Sequence, residues 1–258
     1  MDQVNKTLYI PLYGKAYVSK KGILLPDPDA ERIWEAAGIP LKGKSASKWL
    51  AYSMGMRSAV FDSWLRQMLT ADAVVLHLGC GLDSRCNRVK CPNLWYDVDF
   101  PAVIEEREKY FVESGSYHMI GADLRENWLT SVPQGGTAIV VMEGVSMYLT
   151  VEERLALLKA LTDYFDRVSL LVDAYTIFAA KATKYKNPIN DVGVTQVYGF
   201  DDPRELENGT GLAYLREHDM TPETMIRSLS PWEQPLFRKL FAGKTARKFY
   251  RLYEYMSR

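Results

Sequence analysis

The chain has 258 residues, 47% hydrophobic and 25% charged, with 32 basic residues against 32 acidic ones. This is the composition of an ordinary globular protein, which excludes disordered and fibrous classes, and its balanced charge argues against a nucleic-acid partner, whose phosphates call for a cationic excess. Apolar runs such as Ala138 to Met142 fall far short of the roughly 20 residues of a spanning helix, and Met1-Asp2-Gln3 carries an acid where a signal peptide carries basic charge, so no membrane association and a cytoplasmic location are expected.

Residues 1 to about 70 read as a helical segment with loops. Asp29 to Ala37 is a short helix closed by Gly38-Ile39-Pro40. Lys48 to Leu69 repeats Trp49, Tyr52, Met56, Val60, Trp64 and Met68 at spacings of three and four, a long amphipathic helix with an expected interruption near Gly55. From Ala71 the pattern changes to short apolar runs bounded by turn residues: Ala73 to Leu78, Leu94 to Val98, Tyr117 to Ala122, Thr137 to Met142 and Val168 to Val172. Helical stretches alternate with them, at Pro101 to Phe111 and at Val151 to Phe165 with Thr150 as N-cap. That alternation predicts an α/β, doubly wound parallel sheet. Residues 176 to 210, rich in Lys, Asn, Gly, Asp and Pro, read as an excursion above the sheet. Gly211 to His218 and Lys248 to Tyr255 read as an antiparallel terminal hairpin around a helical stretch from Pro222 to Leu240, which brings the expected strands to seven. The expected organisation is therefore residues 1–70 as an N-terminal helical cover and residues 71–258 as the sheet domain.

Chemistry-bearing residues gather at the carboxyl ends of these strands. His77-Leu78-Gly79-Cys80-Gly81-Leu82-Asp83-Ser84-Arg85 follows the first strand. Glycines there let the backbone bend and let a ligand approach without Cβ interference. Ser84 stands where the dinucleotide pattern has its third glycine, which favours a nucleoside over a pyrophosphate ligand. The second strand ends in Asp97-Val98-Asp99, and Asp99 lies 20 residues after Gly79, a spacing that suits a carboxylate for ribose hydroxyls. Alternation places Asp97 and Asp99 on one side, so periodicity does not separate them, and capping of the helix at Pro101 is an equal alternative. The third strand ends in Asp123-Leu124, which suits an adenine amine, and the fourth in Glu143. Asp83 and Arg85 are expected to pair beside the glycine turn. Cys80, Cys86 and Cys91 match no zinc spacing and read as reduced thiols; His77, His118 and His218 are scattered, so no metal site is expected. His77 reads as a buried structural residue and His218 as a surface one. No His–acid pair offers itself as a general base.

Three motifs in order, Leu78 to Arg85, Tyr96-Asp97-Val98-Asp99-Phe100-Pro101, and Glu143-Gly144-Val145-Ser146-Met147-Tyr148-Leu149, resemble the leucine carboxyl methyltransferase family. That family includes protein phosphatase carboxyl methyltransferases and tetracenomycin-type polyketide O-methyltransferases. The resemblance runs from about Leu8 to the final strand and implies a Rossmann-like, mostly parallel sheet of class I. It implies S-adenosylmethionine as cofactor. Gly79 and Gly81 would pass beneath the methionine part, Asp99 with Phe100 would meet the ribose, and Asp123 with Leu124 the adenine. Glu143 would lie near the amino group, and Arg57, in Gly55-Met56-Arg57-Ser58, together with Lys15, in Tyr13-Gly14-Lys15-Ala16, would pair with the methionine carboxylate. The first acid of the ribose strand is Asp97 where many relatives carry Glu. The implied reaction is O-methylation of a small-molecule carboxylate or hydroxyl; a protein C-terminal carboxylate and a non-catalytic nucleoside-binding role are the alternatives. Tyr9, Tyr13, Tyr17, Tyr185, Tyr198 and Phe200 are candidates for the acceptor cover.

Overall fold

The computed structural model describes residues 8–41, 43–182 and 196–257. Its centre is one seven-stranded sheet of β1 (Ala73–Leu78), β2 (Trp95–Asp99), β3 (Tyr117–Gly121), β4 (Thr137–Met142), β5 (Arg167–Tyr175), β6 (Leu212–His218) and β7 (Tyr250–Ser257), in the order β3-β2-β1-β4-β5-β7-β6. The pairs β1·β2, β2·β3, β1·β4 and β4·β5 are parallel. Strand β7 slots between β5 and β6 and runs antiparallel to both. The expected terminal hairpin is thus an antiparallel pair, closed by helices rather than by a turn.

Six helices carry most of the packing: α1 (Tyr9–Lys20), α2 (Pro28–Ala37), α3 (Lys48–Met68), α4 (Arg85–Val89), α5 (Pro101–Arg107) and α6 (Val151–Tyr164). Every residue of β1 is buried, because both faces of the sheet are covered. Val74, Leu76, Leu78 and Val140 point to one side, against Leu157, Leu158 and Leu161 of α6. Val75, Ile139 and Val141 point to the other, against Phe61, Trp64 and Leu65 of α3. The near-continuous apolar runs seen in the sequence are the signature of such two-sided burial. Helix α6 begins with a full capping box: Thr150 Oγ1 accepts from the Glu153 amide at 3.2 Å, and Glu153 Oε2 accepts from the Thr150 amide at 2.8 Å.

Helix α3 runs unbroken through Gly55, contrary to the expected interruption. The glycine serves close approach rather than a bend. A Cβ at Gly55 would stand 2.8 Å from Val18 Cγ2, and one at Gly14 would stand 2.7 Å from Met54 Cβ. Two glycines, one on each helix, therefore bring α1 onto α3. Helix α1 itself left no amphipathic trace in the sequence because Tyr9, Ile10, Leu12, Lys15, Ala16 and Val18 are all buried. It is enclosed on several sides, and a helix of that kind has no polar face to reveal its period.

Of the expected excursion over residues 176–210, the structure describes 176–182 and 196–210. Those described residues include α7 (Ile177–Ala182) and a 3₁₀ turn at Pro203–Glu207; Tyr185 lies outside them. The helical stretch expected over residues 222–240 is three helices, α8 (Glu223–Ile226), α9 (Glu233–Phe241) and α10 (Gly243–Arg247). Pro231, just before α9, explains the first break. Helix α9 stacks Phe241 on Trp49 of α3, with centroids 5.6 Å apart, and so closes the side of the molecule above α3. No helix among the described residues is long and apolar enough to cross a membrane.

Replacing Gly55 by Val should overpack the α1·α3 contact and destabilise the fold by about 1–3 kcal/mol. Urea unfolding followed by circular dichroism measures this, and an unchanged midpoint would show that the two helices separate at no cost.

Candidate active site

A cavity of about 620 Å³ opens at the carboxyl edge of the sheet, above β1 and β4, where open α/β sheets bind ligands. Its floor comes from the Gly79–Asp83 turn after β1 and from Glu143 and Gly144 after β4; Lys15 of α1 and Arg57 of α3 reach it from the side. Its upper walls are Met54, Met147, Tyr148, Tyr175, Leu240, Phe241 and Phe249, together with Tyr250 at the start of β7. A charged floor and an apolar, tyrosine-bearing upper part thus share one space.

The turn needs its glycines. Gly79 has φ 66° and Gly81 φ 52°, values that suit glycine and strain other residues. A Cβ on Gly79 would lie 2.0 Å from Val145 Cγ2, so the turn and the β4 loop touch backbone to side chain with no room between them. Leu8 stands over Gly81, 3.2 Å from where its Cβ would be.

Beneath the turn lies a continuous ionic network. Arg85 Nε meets Asp62 at 2.8 Å and its Nη2 meets Asp83 at 3.2 Å and also Glu143. Arg88 joins Asp27 (2.5 Å), Asp62 (2.6 Å) and Asp83 (3.0 Å). Lys15 adds a bridge to Asp83 at 3.2 Å. The expected Asp83–Arg85 pair is present, as one link among many. Burial raises the Asp83 carboxyl, but Lys15, Arg85 and Arg88 together override it and hold it well below the usual range. Glu143 behaves alike: burial pushes it up, Arg85 and Arg57 outweigh that, and it falls to about 2. It also accepts from Ser58 Oγ at 2.8 Å.

Arg57 is held by three groups at once. Its Nε donates to Glu143 at 3.0 Å, and its Nη1 donates to Asp173 at 3.0 Å and to the Tyr250 hydroxyl at 2.8 Å. Its Nη2 has no hydrogen-bond partner among the described residues and lies 3.7 Å from where a Gly144 Cβ would stand. Because Arg57 lines the cavity, that donor is available to an anionic group there. Asp173 is buried, and burial raises it, with Arg57 opposing and Glu143 adding to the rise, to about 6.

The geometry separates the two acids that periodicity left together. Asp97 is fully buried and saturated: it accepts from Arg107 at 2.5 Å, the Tyr117 hydroxyl at 2.7 Å, Trp95 Nε1 at 2.8 Å and His77 Nδ1 at 2.9 Å. It is a structural anchor. Asp99 stands half-buried at the strand's end and accepts from the Gly81 amide and its neighbour's amide at Phe100, each at 2.8 Å. Neither acid caps the helix at Pro101, whose N-cap is Phe100 with no side-chain bond. Phe100 is exposed at the rim.

Lys15, Arg57, Gly79, Gly81 and Glu143 therefore meet in one cavity, while Asp99, Phe100, Asp123 and Leu124 lie outside its lining, on the adjoining strand ends. The Asp123 carboxylate is engaged by Arg125, at 2.8 and 2.5 Å, and Leu124 packs in the main core. His218, expected at the surface, is half-buried, with its Nε2 2.6 Å from buried Glu254. His77 touches the cavity, but its ring nitrogens face Asp97 and Arg85. The cysteines are free thiols, and no group of His, Cys, Asp or Glu among the described residues is arranged to hold a metal. Sequence reading missed Asp173 and Tyr250. Asp173 had a signal, since it follows the apolar run Leu170-Leu171-Val172 as Glu143 follows its own; Tyr250 had none.

Asp97 also sets an acid limit on stability. Burial raises it, Arg107 and His77 outweigh that, and its folded value is about 2, below the unfolded value near 3.9. Its stabilisation is thus complete above about pH 4 and is lost as pH falls toward 2. Asp97→Asn should cost about 3–5 kcal/mol at pH 7 by leaving Arg107 uncompensated, and should flatten the stability loss between pH 4 and 2. Denaturant titrations across that range test this; an acid limb as steep as the parent's would remove Asp97 as its source.

Residues 14–162, more than half of the chain, match the family model described as leucine carboxyl methyltransferase. The tetracenomycin polyketide synthesis O-methyltransferase TcmP of Streptomyces glaucescens is 34% identical over 184 residues, 69% of this chain and 68% of that protein. The S-adenosyl-L-methionine-dependent methyltransferase dpfgK of Gibberella zeae is 31% identical over 192 residues, 66% of this chain and 64% of that protein. Among solved structures, magnesium protoporphyrin IX methyltransferase from Synechocystis PCC 6803, with bound SAH, superposes with a TM-score of 0.53 at 14% identity, covering 90% of this chain and 93% of that one. An S-adenosylmethionine dependent methyltransferase from Mesorhizobium loti gives 0.51 at 13% identity, covering 75% and 96%. The last two carry the fold; the family model and the Streptomyces glaucescens relative carry the family: the chain belongs to the leucine carboxyl methyltransferase family and is an S-adenosylmethionine-dependent methyltransferase.

Proposed function

We propose that the chain methylates an oxygen, carboxylate or hydroxyl, of a small and largely apolar molecule. The observation that carries this reading is the single cavity whose charged floor continues into an apolar, tyrosine-bearing upper part. A zwitterionic nucleoside and an apolar acceptor would each find a matching surface there, and they would share a boundary. The relative from Streptomyces glaucescens, named for polyketide O-methylation, supports the same substrate class.

The residues present fit the cofactor. Arg57 offers its Nη2 into the cavity and Lys15 stands beside it, a fit for a carboxylate; Glu143 is ionised and suits an ammonium. Asp99 would take the ribose with Phe100 at its rim. Asp123 and Leu124 would flank the adenine, Asp123 exchanging Arg125 for it. When bound, the cofactor supplies an electrophilic methyl group on a cationic sulfur. The chain's own part is to orient the acceptor oxygen and to exclude water, which positioning and an apolar wall both serve.

Calorimetry with S-adenosylhomocysteine tests the floor. Saturable binding is expected, weakened by roughly 1–3 kcal/mol in Asp99→Ala, the cost of leaving polar partners unpaired. Arg57→Ala should lose at least as much; affinity unchanged in both variants would dismiss this placement of the cofactor. Methyl transfer to low-molecular-weight aromatic acids and phenols, compared with peptides bearing a free C-terminal carboxylate, tests the acceptor, and transfer to the peptides alone would reverse the reading.

A further inference from the structure

The apolar upper part of the cavity carries two phenol groups left unengaged. Tyr148, which ends the 3₁₀ turn Ser146–Tyr148 after β4, and Tyr175, the last residue of β5, both line the cavity. Neither hydroxyl has a hydrogen-bond partner among the described residues, and that of Tyr175 reaches open space rather than being sealed in the protein. The third phenol of the wall, Tyr250, is already engaged, accepting from Arg57 Nη1 at 2.8 Å. Both unengaged phenols stand on fixed backbone. The Tyr148 amide donates to the Val145 carbonyl at 2.9 Å, and its turn is tied to β5 by the Ser146 hydroxyl, which donates to the Asp173 carbonyl. The Tyr175 carbonyl accepts from the Phe200 amide at 2.9 Å, and its ring meets that of Tyr250 edge to face, with centroids 4.9 Å apart at 85°. Resting on the methyltransferase reading above, we propose that Tyr148 and Tyr175 form a second anchor for the acceptor, donating to a carbonyl oxygen that it carries apart from the oxygen that is methylated.

The chemistry of the wall selects the partner. Two acids line the cavity among the described residues, Asp83 and Glu143; both belong to the floor and are taken up by arginines. The upper part therefore offers phenol donors and no carboxylate. Burial raises both phenols, Tyr148 to about 12 with Arg57 opposing, and Tyr148 adds to the rise at Tyr175. Each keeps its proton near neutral pH and acts as a donor rather than as a base. A carbonyl oxygen has two lone pairs and no proton of its own to place, so it serves two donors in an apolar wall. Water can serve them in the free protein, but an acceptor that displaces that water without replacing its bonds loses affinity. Sites built to hydrogen-bond a ligand reject the analogue that lacks the matching group. Two separated anchors also fix the acceptor's direction, with the carbonyl at the phenols and the methylated oxygen toward the floor. The acceptors favoured are thus apolar hydroxy or carboxy compounds that carry a ketone-type carbonyl as well.

The test loads the protein with S-adenosylhomocysteine and titrates two probes, 7-hydroxy-1-tetralone and 6-hydroxytetralin, which share a skeleton and a hydroxyl and differ by the carbonyl. Calorimetry should find the ketone bound about tenfold more tightly, the worth of two net hydrogen bonds. Infrared difference spectra should place its carbonyl stretching band at lower wavenumber than in an apolar solvent. Tyr148→Phe and Tyr175→Phe should each cut the preference about threefold, and the double variant should abolish it and return the band toward its solvent position. Affinity for S-adenosylhomocysteine shows that each variant is folded, and the band of the parent needs no variant. Equal affinity of the parent for the two probes overturns the proposal, as does an unshifted band, a preference that survives in the double variant, or a loaded parent that binds neither probe. A parent that fails to bind S-adenosylhomocysteine, or that methylates peptides alone, removes instead the reading on which the proposal rests.

Discussion

The structure depends on a buried ionic network under the glycine turn. Five basic side chains, Lys15, Arg57, Arg85, Arg88 and Arg107, are enclosed with six carboxylates, Asp27, Asp62, Asp83, Asp97, Glu143 and Asp173. Taking so many charges out of water is costly, and each becomes tolerable only because its partners lie at hydrogen-bond distance. The network fixes parts of the chain that share little apolar contact. Asp27, which caps α2 through the Ala30 amide at 2.9 Å, also accepts from Ser84 at 2.5 Å and from Arg88. One side chain thereby joins an N-terminal helix to the loop after β1. Removing any member would strand a charge in a dry interior, so the lattice specifies one arrangement of the loop more sharply than apolar packing could.

The same lattice gives the neutral chain a site with a sign. Six acids against five bases leave one unit of negative charge enclosed, and Asp99 at the rim adds a second. On the proposed placement of the cofactor, its cationic sulfur and ammonium group would meet a floor already biased in their favour, and its carboxylate would face Arg57 and Lys15. Overall charge balance and local charge imbalance coexist because the arginines are spent almost wholly on internal partners.

Fold and floor were legible in the sequence to different depths, for physical reasons. The parallel core was legible because two-sided burial leaves apolar runs too short and too uniform for anything but internal strands, and because Thr150 ahead of Val151 reads as the N-cap of the helix between two of them. Gly79 and Gly81 were legible because positive φ leaves few residue choices. Asp97 and Asp99 were not separable, since alternation records the side of a strand and not depth; only the arrival of Arg107, Trp95 and His77 around Asp97 makes one structural and leaves the other at the edge. Helix α1 was hidden by enclosure, Gly55 was misread as a break because close helix approach and helix interruption use the same residue, and Asp173 and Tyr250 come together only where β5 and β7 pair, at Tyr175 opposite Tyr250.

That pairing has a consequence for how the molecule is assembled. The cavity draws on Lys15 near one end of the chain, Arg57, Glu143 and Asp173 along its middle, and Tyr250 near the other. Closing it requires contacts as distant in sequence as Arg57 with Tyr250, 193 positions apart, so no sub-segment carries a workable site of its own. Ligand occupancy is therefore linked to the integrity of the whole chain, and a bound ligand stabilises every strand by the same mass-action increment, RT ln(1 + [L]/Kd). Contacts of such sequence separation also form late and slowly, which makes the nucleoside a ligand that selects the fully assembled state over any partly folded one.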